Sequence, residues 1–502
     1  MKLSELKNKL NNKQLSLDEA KRRISSVKKE FRVNKNINNI NGINNIQNNV
    51  KEKKDVTCYN KVSNISSLNE INKQVVNSEN TSSLDNVKVI GVTGSKGKST
   101  VCYLVHEYLK LKGKKSILYS SVEVDSPNSV KSRVPMEVAL QSENTILDIL
   151  EEAESYNSDY VVLEVNDSAI DKGLVKDIDF SVRALTNIIP DCNLERYDED
   201  YHVNLKKSFF SNINESSCKC VIGLTGYFKR EDFNDFINLN NLDKVTFASK
   251  TKCEEKNADY TNIDVLHYNE EDSLDGLKFN LRVKDNIYSF NSNMLLPHSI
   301  TNIACVVSIL EALGEFDSET FRKFLLNVTI PGREEVIKVN GRTIIIGVYL
   351  VPMLSVLKGY RIKGNCDCVK VVCGMPGVGF KTWSKHLSDK RRLDILDYIH
   401  RDAMTCVKKN ADYIYITSND PAASNPMEIC LNLQRHINSS IPSVIETDRK
   451  KAIKNAIYES NPNDVIYIAG RGNRKLYCAT IDKMEIFTDK EIVMEAIKEL
   501  GW

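Results

Sequence analysis

The stretch Val89–Thr100, VIGVTGSKGKST, leaves few choices of local structure. It begins as an unbroken apolar run of the kind a strand buried on both faces requires. A helical pattern, KSTVCYLVHEYLKLKG, follows with no room for a long connection. Gly94, Ser95, Lys96 and Gly97 must therefore turn the chain sharply, and glycines let a turn point its backbone N–H groups inward. Strand, glycine turn and helix in succession present those N–H groups, and the positive end of the helix, to an anion. Lys98 can reach the β- and γ-oxygens of a nucleotide, and Ser99 offers a hydroxyl to Mg²⁺. The general spacing G-x-x-x-x-G-K-[ST] would put glycine at position 92, where this chain has Val92. The loop therefore has the parts of a phosphate-binding site without the general spacing.

From about residue 85 onward strand and helix patterns alternate, which predicts an α/β fold built on parallel sheets. VKVIGVTG, KSILYSSV and DYVVLEVN read as strands, and ENTILDILEEAESY as a helix. Shorter strands (CVIGLTG, KVTFAS, LKFNLRV, IYSFNS) lead to the helix SITNIACVVSILEALG. A second alternation starts after IPGREE with TIIIGVYL, KVVCG, the long helix DKRRLDILDYIHRDAMTCVKK, DYIYITSND and DVIYIAGRG. The expected boundaries are a helical segment 1–33, an Asn-rich and largely disordered linker 34–84, a central domain 85–330 and a C-terminal domain 331–502. At 502 residues the chain is too long for one ordinary domain.

Residues 1–33 carry Leu3, Leu6 and Leu10 at helical spacing, then Ser16–Glu19 as a capping box before Ala20, Ile24, Val27 and Phe31. These helices are candidates for self-association. Nine of the seventeen residues 34–50 are asparagine, a composition that cannot bury a core. A formal charge of +2 gives no reason to expect nucleic-acid or membrane partners. No signal peptide and no long uninterrupted apolar run is present, so a cytoplasmic protein is expected. The 13 cysteines are scattered. The pairs Cys218/Cys220 and Cys366/Cys368 lack the spacing of a zinc site, and free thiols are expected.

The loop Gly91–Thr100 resembles that of the Mur ligase superfamily, G-x-T-G-[ST]-x-G-K-[ST]-T, at every position. Further motifs follow in the family's order to the end of the chain. VVLEVNDSAI resembles the strand whose glutamate binds Mg²⁺, which implies that role for Glu164. TNIIPDCNLERYDEDYHVNLKKSFF resembles the segment carrying a carbamylated lysine; counting from Asp191 places it at Lys206, a third metal-site residue with Ser99 and Glu164. LLPHSITNIACVVSILEALG resembles the adenine-contacting H-N-x-x-N motif, with His298 and Asn302 kept. PGREE resembles the interdomain element whose arginine, here Arg333, approaches the phosphates. SDKRRLDIL resembles a C-terminal-domain segment with Asp389, Lys390 and Arg391 as its basic cluster. ITSNDPAASNP and DVIYIAGRGNR resemble two stretches that bind the incoming amino acid in the muramyl-tripeptide (MurE-type) branch, which implies substrate roles for Asn419, Asp420, Gly470 and Arg474.

The resemblance implies ATP and Mg²⁺ as cofactors and one reaction type. ATP phosphorylates a small-molecule carboxylate, an amine attacks the acyl phosphate, and an amide forms with release of ADP and phosphate. Lys98, Glu164, Lys206 and Arg333 would carry the chemistry. It also implies a central ATP-binding parallel-sheet domain joined to a Rossmann-like C-terminal domain.

Several positions depart from the pattern. Residues 1–84 do not read as an α/β domain that grips a UDP-sugar. Cys192 stands where a Mg²⁺-binding histidine is usual. The D-Y-A-H-x-P element keeps only Tyr349 and Pro352. Ala422 replaces the arginine of D-N-P-R, and Arg474 replaces a glutamate that receives a distal ammonium. Three readings follow: a ligase acting on a substrate other than the standard UDP-muramoyl peptide, a muramyl-peptide ligase with a degenerate N-terminal part, and a nucleotide-binding scaffold. The change to Arg474 favours an acidic acceptor amine over a cationic one.

Overall fold

Strands buried on both faces build the middle of the first sheet. In the computed structural model the described residues are 87–127, 129–132, 143–189, 199–211, 218–224, 243–377, 389–422, 424–437, 441–480 and 483–502. The segments 1–33 and 34–84, with Asp191 and Cys192, lie outside them, as do the side chains of Asp389, Lys390 and Arg391. The first sheet contains β1 (Lys88–Thr93), β2 (Ser116–Tyr119), β3 (Val124–Ser126), β4 (Ser129–Ser132), β5 (Tyr160–Glu164), β6 (Val182–Leu185), β7 (Lys219–Gly223), β8 (Lys244–Ser249), β9 (Val265–Ser273), β10 (Gly276–Val283) and β11 (Asn286–Ser292). Their order is β11-β10-β9-β8-β7-β6-β1-β5-β2-β3-β4. From β9 to β2 all neighbours are parallel. Antiparallel strands extend both edges.

The succession reverses around β1, which lies between β6 and β5. Loops leaving the carboxyl ends of these three strands meet in one crevice, where ligands of open α/β sheets bind. Helix α1 (Lys98–Leu111) starts there. It is followed by α2 (Glu143–Ser155), α3 (Asp167–Asp171), α4 (Glu199–Ser208), α5 (Lys250–Glu255), α6 (His298–Leu313) and α7 (Ser318–Asn327). Helix α6 is apolar nearly all round and is buried accordingly, against α1 and strands β7 to β9.

The second sheet has the order β12-β13-β17-β14-β15-β16, formed by β12 (Glu335–Val339), β13 (Arg342–Gly347), β14 (Val369–Cys373), β15 (Tyr413–Ile416), β16 (Ser443–Ile445) and β17 (Val465–Ala469). Only β12 runs antiparallel to its neighbour. Side chains alternate between its faces: Ile345, Val371 and Tyr467 pack with α8 (Leu350–Ile362), α9 (Asp389–Asn410) and α10 (Pro426–Ile437). Ile344, Ile346, Val372 and Ile466 pack with α11 (Arg449–Tyr458) and α12 (Asp489–Glu499). Helices on both faces make this half doubly wound. A hairpin, β18 (Leu476–Cys478) with β19 (Met484–Ile486), completes it.

The reading of TIIIGVYL as one strand is corrected here: β13 stops at Gly347 and Tyr349 caps helix α8. Pro352 lies in the first turn of that helix, where its missing N–H costs nothing. Leu295 and Leu296, just before α6, are buried in the core of the second sheet. On α7, Phe321 is fully buried and meets Tyr108 edge-on with ring centroids 5.3 Å apart, with Phe290 and Phe316 each at 5.7 Å. Phe321→Ala is expected to lower stability by about 3–5 kcal/mol, read as a shifted midpoint in urea unfolding.

Candidate active site

The loop after β1 is held in shape by the loop after β6. Thr186 Oγ1 donates to the Lys96 carbonyl at 2.6 Å and Asn187 Nδ2 to the same oxygen at 3.1 Å. In return Lys96 N donates to Asn187 Oδ1 at 3.1 Å and Ser95 N to the Asn187 carbonyl at 3.0 Å. Ile189 N donates to Ser95 Oγ at 2.8 Å. Gly97 caps α1 with φ of 85° and offers no capping side chain, so the first-turn amides of α1 face the crevice. A Cβ at this position would lie 2.2 Å from Asn302 Oδ1. Asn302 of α6, named from the adenine motif, therefore packs directly on the loop. Lys98 Nζ curls over it and donates to the Gly94 carbonyl at 2.7 Å.

Glu164 ends β5 opposite Val92 of β1 and is almost fully buried. Ser99 Oγ donates to its Oε1 at 3.0 Å; Ser120 Oγ and Ser121 N donate to its Oε2 at 3.0 and 2.7 Å. Ser121 Oγ lies 2.8 Å from Ser99 Oγ. A carboxylate and hydroxyls beside a phosphate loop are hard oxygen donors, and they fit Mg²⁺. Asp167 follows at the start of α3. Burial alone would raise its carboxyl, but the neighbouring Lys206 and Lys98 outweigh that and hold it below its usual value.

A cavity of about 420 Å³ opens beside the loop, lined by Gly97, Thr100, His298, Asn302, Arg333 and Tyr349 among others. His298 stands exposed at the start of α6. The Arg333 guanidinium lies 5.0 Å from the centre of the Tyr349 ring and Lys96 Nζ 5.7 Å from it. Arg333 first, with Lys96 and Lys98, holds the Tyr349 phenol below its ordinary value despite burial. So cationic a wall suits a polyphosphate.

Arg333 is placed by its neighbours. Glu334, with φ of 53°, accepts from Leu295 N and Leu296 N at 2.7 Å each and from Ser299 Oγ at 2.8 Å. Gly332 presses on the loop after β17, where a Cβ would come within 2.0 Å of Asn473 N. Asn473 Nδ2 in turn donates to the Val122 carbonyl at 2.9 Å, next to the serines on Glu164.

Asn419, Asp420, Gly470 and Arg474 form a second group, at the ends of β15 and β17. Asp420 is fully buried and joins Arg471 at 2.8 Å and Arg474 at 3.0 Å, with Cys478 N donating at 2.9 Å. Asn419 Nδ2 donates to the Gly374 carbonyl at 3.3 Å and packs on Gly470. Behind them Arg449 and Asp489 form a fully buried pair at 2.7 Å. The side chain of Arg474 keeps 30% exposure, while those of Arg471 and Asp420 have none. Among the described residues, three arginines and two aspartates are interleaved at this end of the sheet.

Residues 92–310 match the family model of the Mur ligase middle domain. Over that stretch the chain is similar to the Mur ligases. Members of that family are ATP-dependent, ADP-forming acid–amino acid ligases. A UDP-N-acetylmuramyl-tripeptide synthetase of Lactobacillus delbrueckii subsp. bulgaricus is 27% identical over 409 residues, covering 77% of this chain and 74% of its own. A UDP-N-acetylmuramoyl-L-alanyl-D-glutamate–2,6-diaminopimelate ligase of Caldanaerobacter subterraneus subsp. tengcongensis is 24% identical over 422 residues, covering 82% and 78%. Among solved structures, a MurF ligase of Thermotoga maritima in complex with ADP shares the fold with a TM-score of 0.52 and 15% identity, covering 90% of this chain and 88% of that one. A folylpolyglutamate synthase of the same organism gives 0.53 and 17%, covering 76% and 86%.

The structure draws Lys98, Ser99, Glu164, Lys206, His298, Asn302 and Arg333 around one loop. Asn419, Asp420, Gly470 and Arg474 sit together elsewhere, and the side chains of Asp389, Lys390 and Arg391 lie outside the described residues. Sequence reading did not single out Ser120, Ser121, Asp167, Thr186, Asn187 or Asn473. Thr186 and Asn187 lay inside a quoted motif, and Asp167 three residues past Glu164. A cluster of His106, Glu107 and Asp125 also has metal-ligand chemistry, but Lys110 already occupies both carboxylates, at 2.7 Å from Asp125 and 2.9 Å from Glu107. Gly97→Ala forces a side chain into Asn302 at a positive φ. ADP affinity measured by calorimetry is expected to fall about 5- to 150-fold, given about 1–3 kcal/mol for such strain, with the circular dichroism spectrum unchanged.

Proposed function

We propose that the chain is a carboxylate–amine ligase that activates its acid as an acyl phosphate and joins it to an acidic amine, on a substrate other than the standard UDP-muramoyl peptide. The observation that supports the acceptor class is the position of Arg474, a guanidinium that is paired with Asp420 and keeps 30% of its side chain exposed. A substrate carboxylate would be met there by a guanidinium, and an ammonium would be repelled. The departure from UDP-muramoyl substrates is supported by residues 1–84, whose Asn-rich composition does not read as a sugar-nucleotide domain.

The chain's own groups have defined tasks in this reading. The loop amides and Lys98 hold the phosphates, and Arg333 neutralises them from the other half of the protein. His298 lies where it can meet the base. Ser99 and Glu164 would hold Mg²⁺, which when bound supplies charge neutralisation at the transferring phosphoryl group. A carboxylate oxygen displaces ADP from the γ-phosphorus. The amine then attacks the acyl carbon, phosphate leaves, and the amine gives up a proton. Asn473, bonded to Val122, brings the amine-binding loop next to the metal-binding serines, which serves positioning.

Phosphate release with ATP, Mg²⁺ and panels of carboxylates and amines tests this. Turnover is expected with acidic amines, and Lys98→Ala should reduce it by about 10²–10³-fold. Preferred turnover of lysine or diaminopimelate would overturn the acceptor class, and saturable turnover only with a UDP-muramoyl dipeptide would overturn the acid. Separately, Arg474→Glu should move kcat/KM from acidic toward cationic amines by about tenfold or more, because juxtaposed like charges cost several kcal/mol. Unchanged preference in that variant would remove Arg474 from the acceptor site.

A further inference from the structure

His267, on β9, is buried, and both of its ring nitrogens have partners. Nδ1 lies 2.6 Å from Glu270 Oε1, and Nε2 lies 3.1 Å from Thr301 Oγ1 on α6. In a regular strand residues 267 and 270 would point to opposite faces. Here the ladder with β10 slips between Lys278 and Asn280, and Asn269 takes a φ of 53°. Glu271 pairs with Lys278 and Tyr268 with Asn280, so Asn269 and Glu270 together oppose Phe279. This β-bulge turns Glu270 back onto the face of His267, and re-aiming a side chain beside a binding site is what such bulges do. Thr301, at the far end of the chain of bonds, lines the cavity beside Asn302 and one turn from His298.

The direction of these bonds follows from which groups can donate. A carboxylate only accepts, so Nδ1 carries the proton, and the singly protonated ring can only accept at Nε2. Thr301 therefore commits its one hydroxyl proton to His267, and its oxygen turns lone pairs alone to the cavity. We propose that Thr301, oriented through His267 by Glu270, selects the base of the bound nucleotide. Its oxygen accepts from an exocyclic amino group, as on a 6-aminopurine, and turns away a 6-oxopurine, whose oxygen would meet it lone pair to lone pair. Thr301 touches the base, while His267 and Glu270 are positioning residues. This selection, which rests on the cavity being the nucleotide site proposed above, is independent of which acid or amine the chain joins.

Calorimetric titration of the full chain with ADP and with inosine diphosphate, its 6-oxo counterpart, reads this without turnover. The wild type is expected to bind ADP more tightly, and Thr301→Val to lower that preference by about tenfold, the scale of one hydrogen bond lost to a group that cannot be satisfied otherwise. Thr301→Ser keeps the hydroxyl and should restore the wild-type ratio to within about twofold, while Glu270→Ala frees the ring to carry its proton on Nε2 and should lower the ratio at least about threefold. Equal weakening of both diphosphates in Thr301→Val would put Thr301 against the ribose or the phosphates and overturn the inference, as would tighter binding of inosine diphosphate by the wild type. An unchanged ratio in Glu270→Ala would overturn the part given to His267 and Glu270. Binding of neither diphosphate to the wild type would overturn the nucleotide site and this selection with it. Binding of both, with one ratio shared by the wild type and Thr301→Val, would overturn the selection alone.

Discussion

Glu334 holds the two halves of the nucleotide site in register. Its carboxylate takes the backbone N–H groups of Leu295 and Leu296, just before α6, and the hydroxyl of Ser299 in the first turn of that helix. The same residue begins the chain's passage into the second sheet, in a backbone conformation that side chains rarely adopt. Arg333 beside it has little choice but to face the cavity, and His298 and Asn302 on α6 are oriented by the same anchor. Arg333, from the connector between the sheets, and Asn302, from the first half, thereby reach one loop from opposite sides.

Charge divides the molecule's chemistry in two. Around the loop, Lys96, Lys98 and Arg333 gather at a cavity with one phenol between them, an arrangement made for a ligand that brings its own negative charge. At the ends of β15 and β17, arginines and aspartates are interleaved and largely sealed from solvent. Buried pairs of this kind add little net stability, but they fix geometry because no member can move without stranding another. The first region can accept a mobile polyphosphate, whereas the second presents one guanidinium in a set position.

Much of this was legible in the sequence because it is local. The strand, turn and helix at Val89–Thr100, the buried runs of β5 and β17 and the long helix α9 follow from periodicity alone. Helix α8 was missed because TIIIGVYL continues a strand pattern past Gly347, and only tertiary packing ends it. Strand β9 carries three consecutive acids and reads as a loop; its pairing partners supply the stabilisation that propensity does not. Among site residues, the sequence singled out those at the marked positions of named motifs, but not Thr186, Asn187, Asp167 or Asn473 within the same stretches. Ser120, Ser121 and Asp167 were missed because their roles arise from neighbours 22 to 44 positions away in the chain, at Ser99, Glu164 and Lys206.

The contact between Gly332 and the loop at Gly472 and Asn473 is made of main chain on both sides. Main-chain contacts make little demand on side-chain identity, while Leu295 and Leu296, buried in the core of the second sheet, tie the two halves together. The joint is also indifferent to what is grafted nearby. The loops around Asp420 and Arg474 can change their side chains while the phosphate loop and Arg333 keep the same bearing against them.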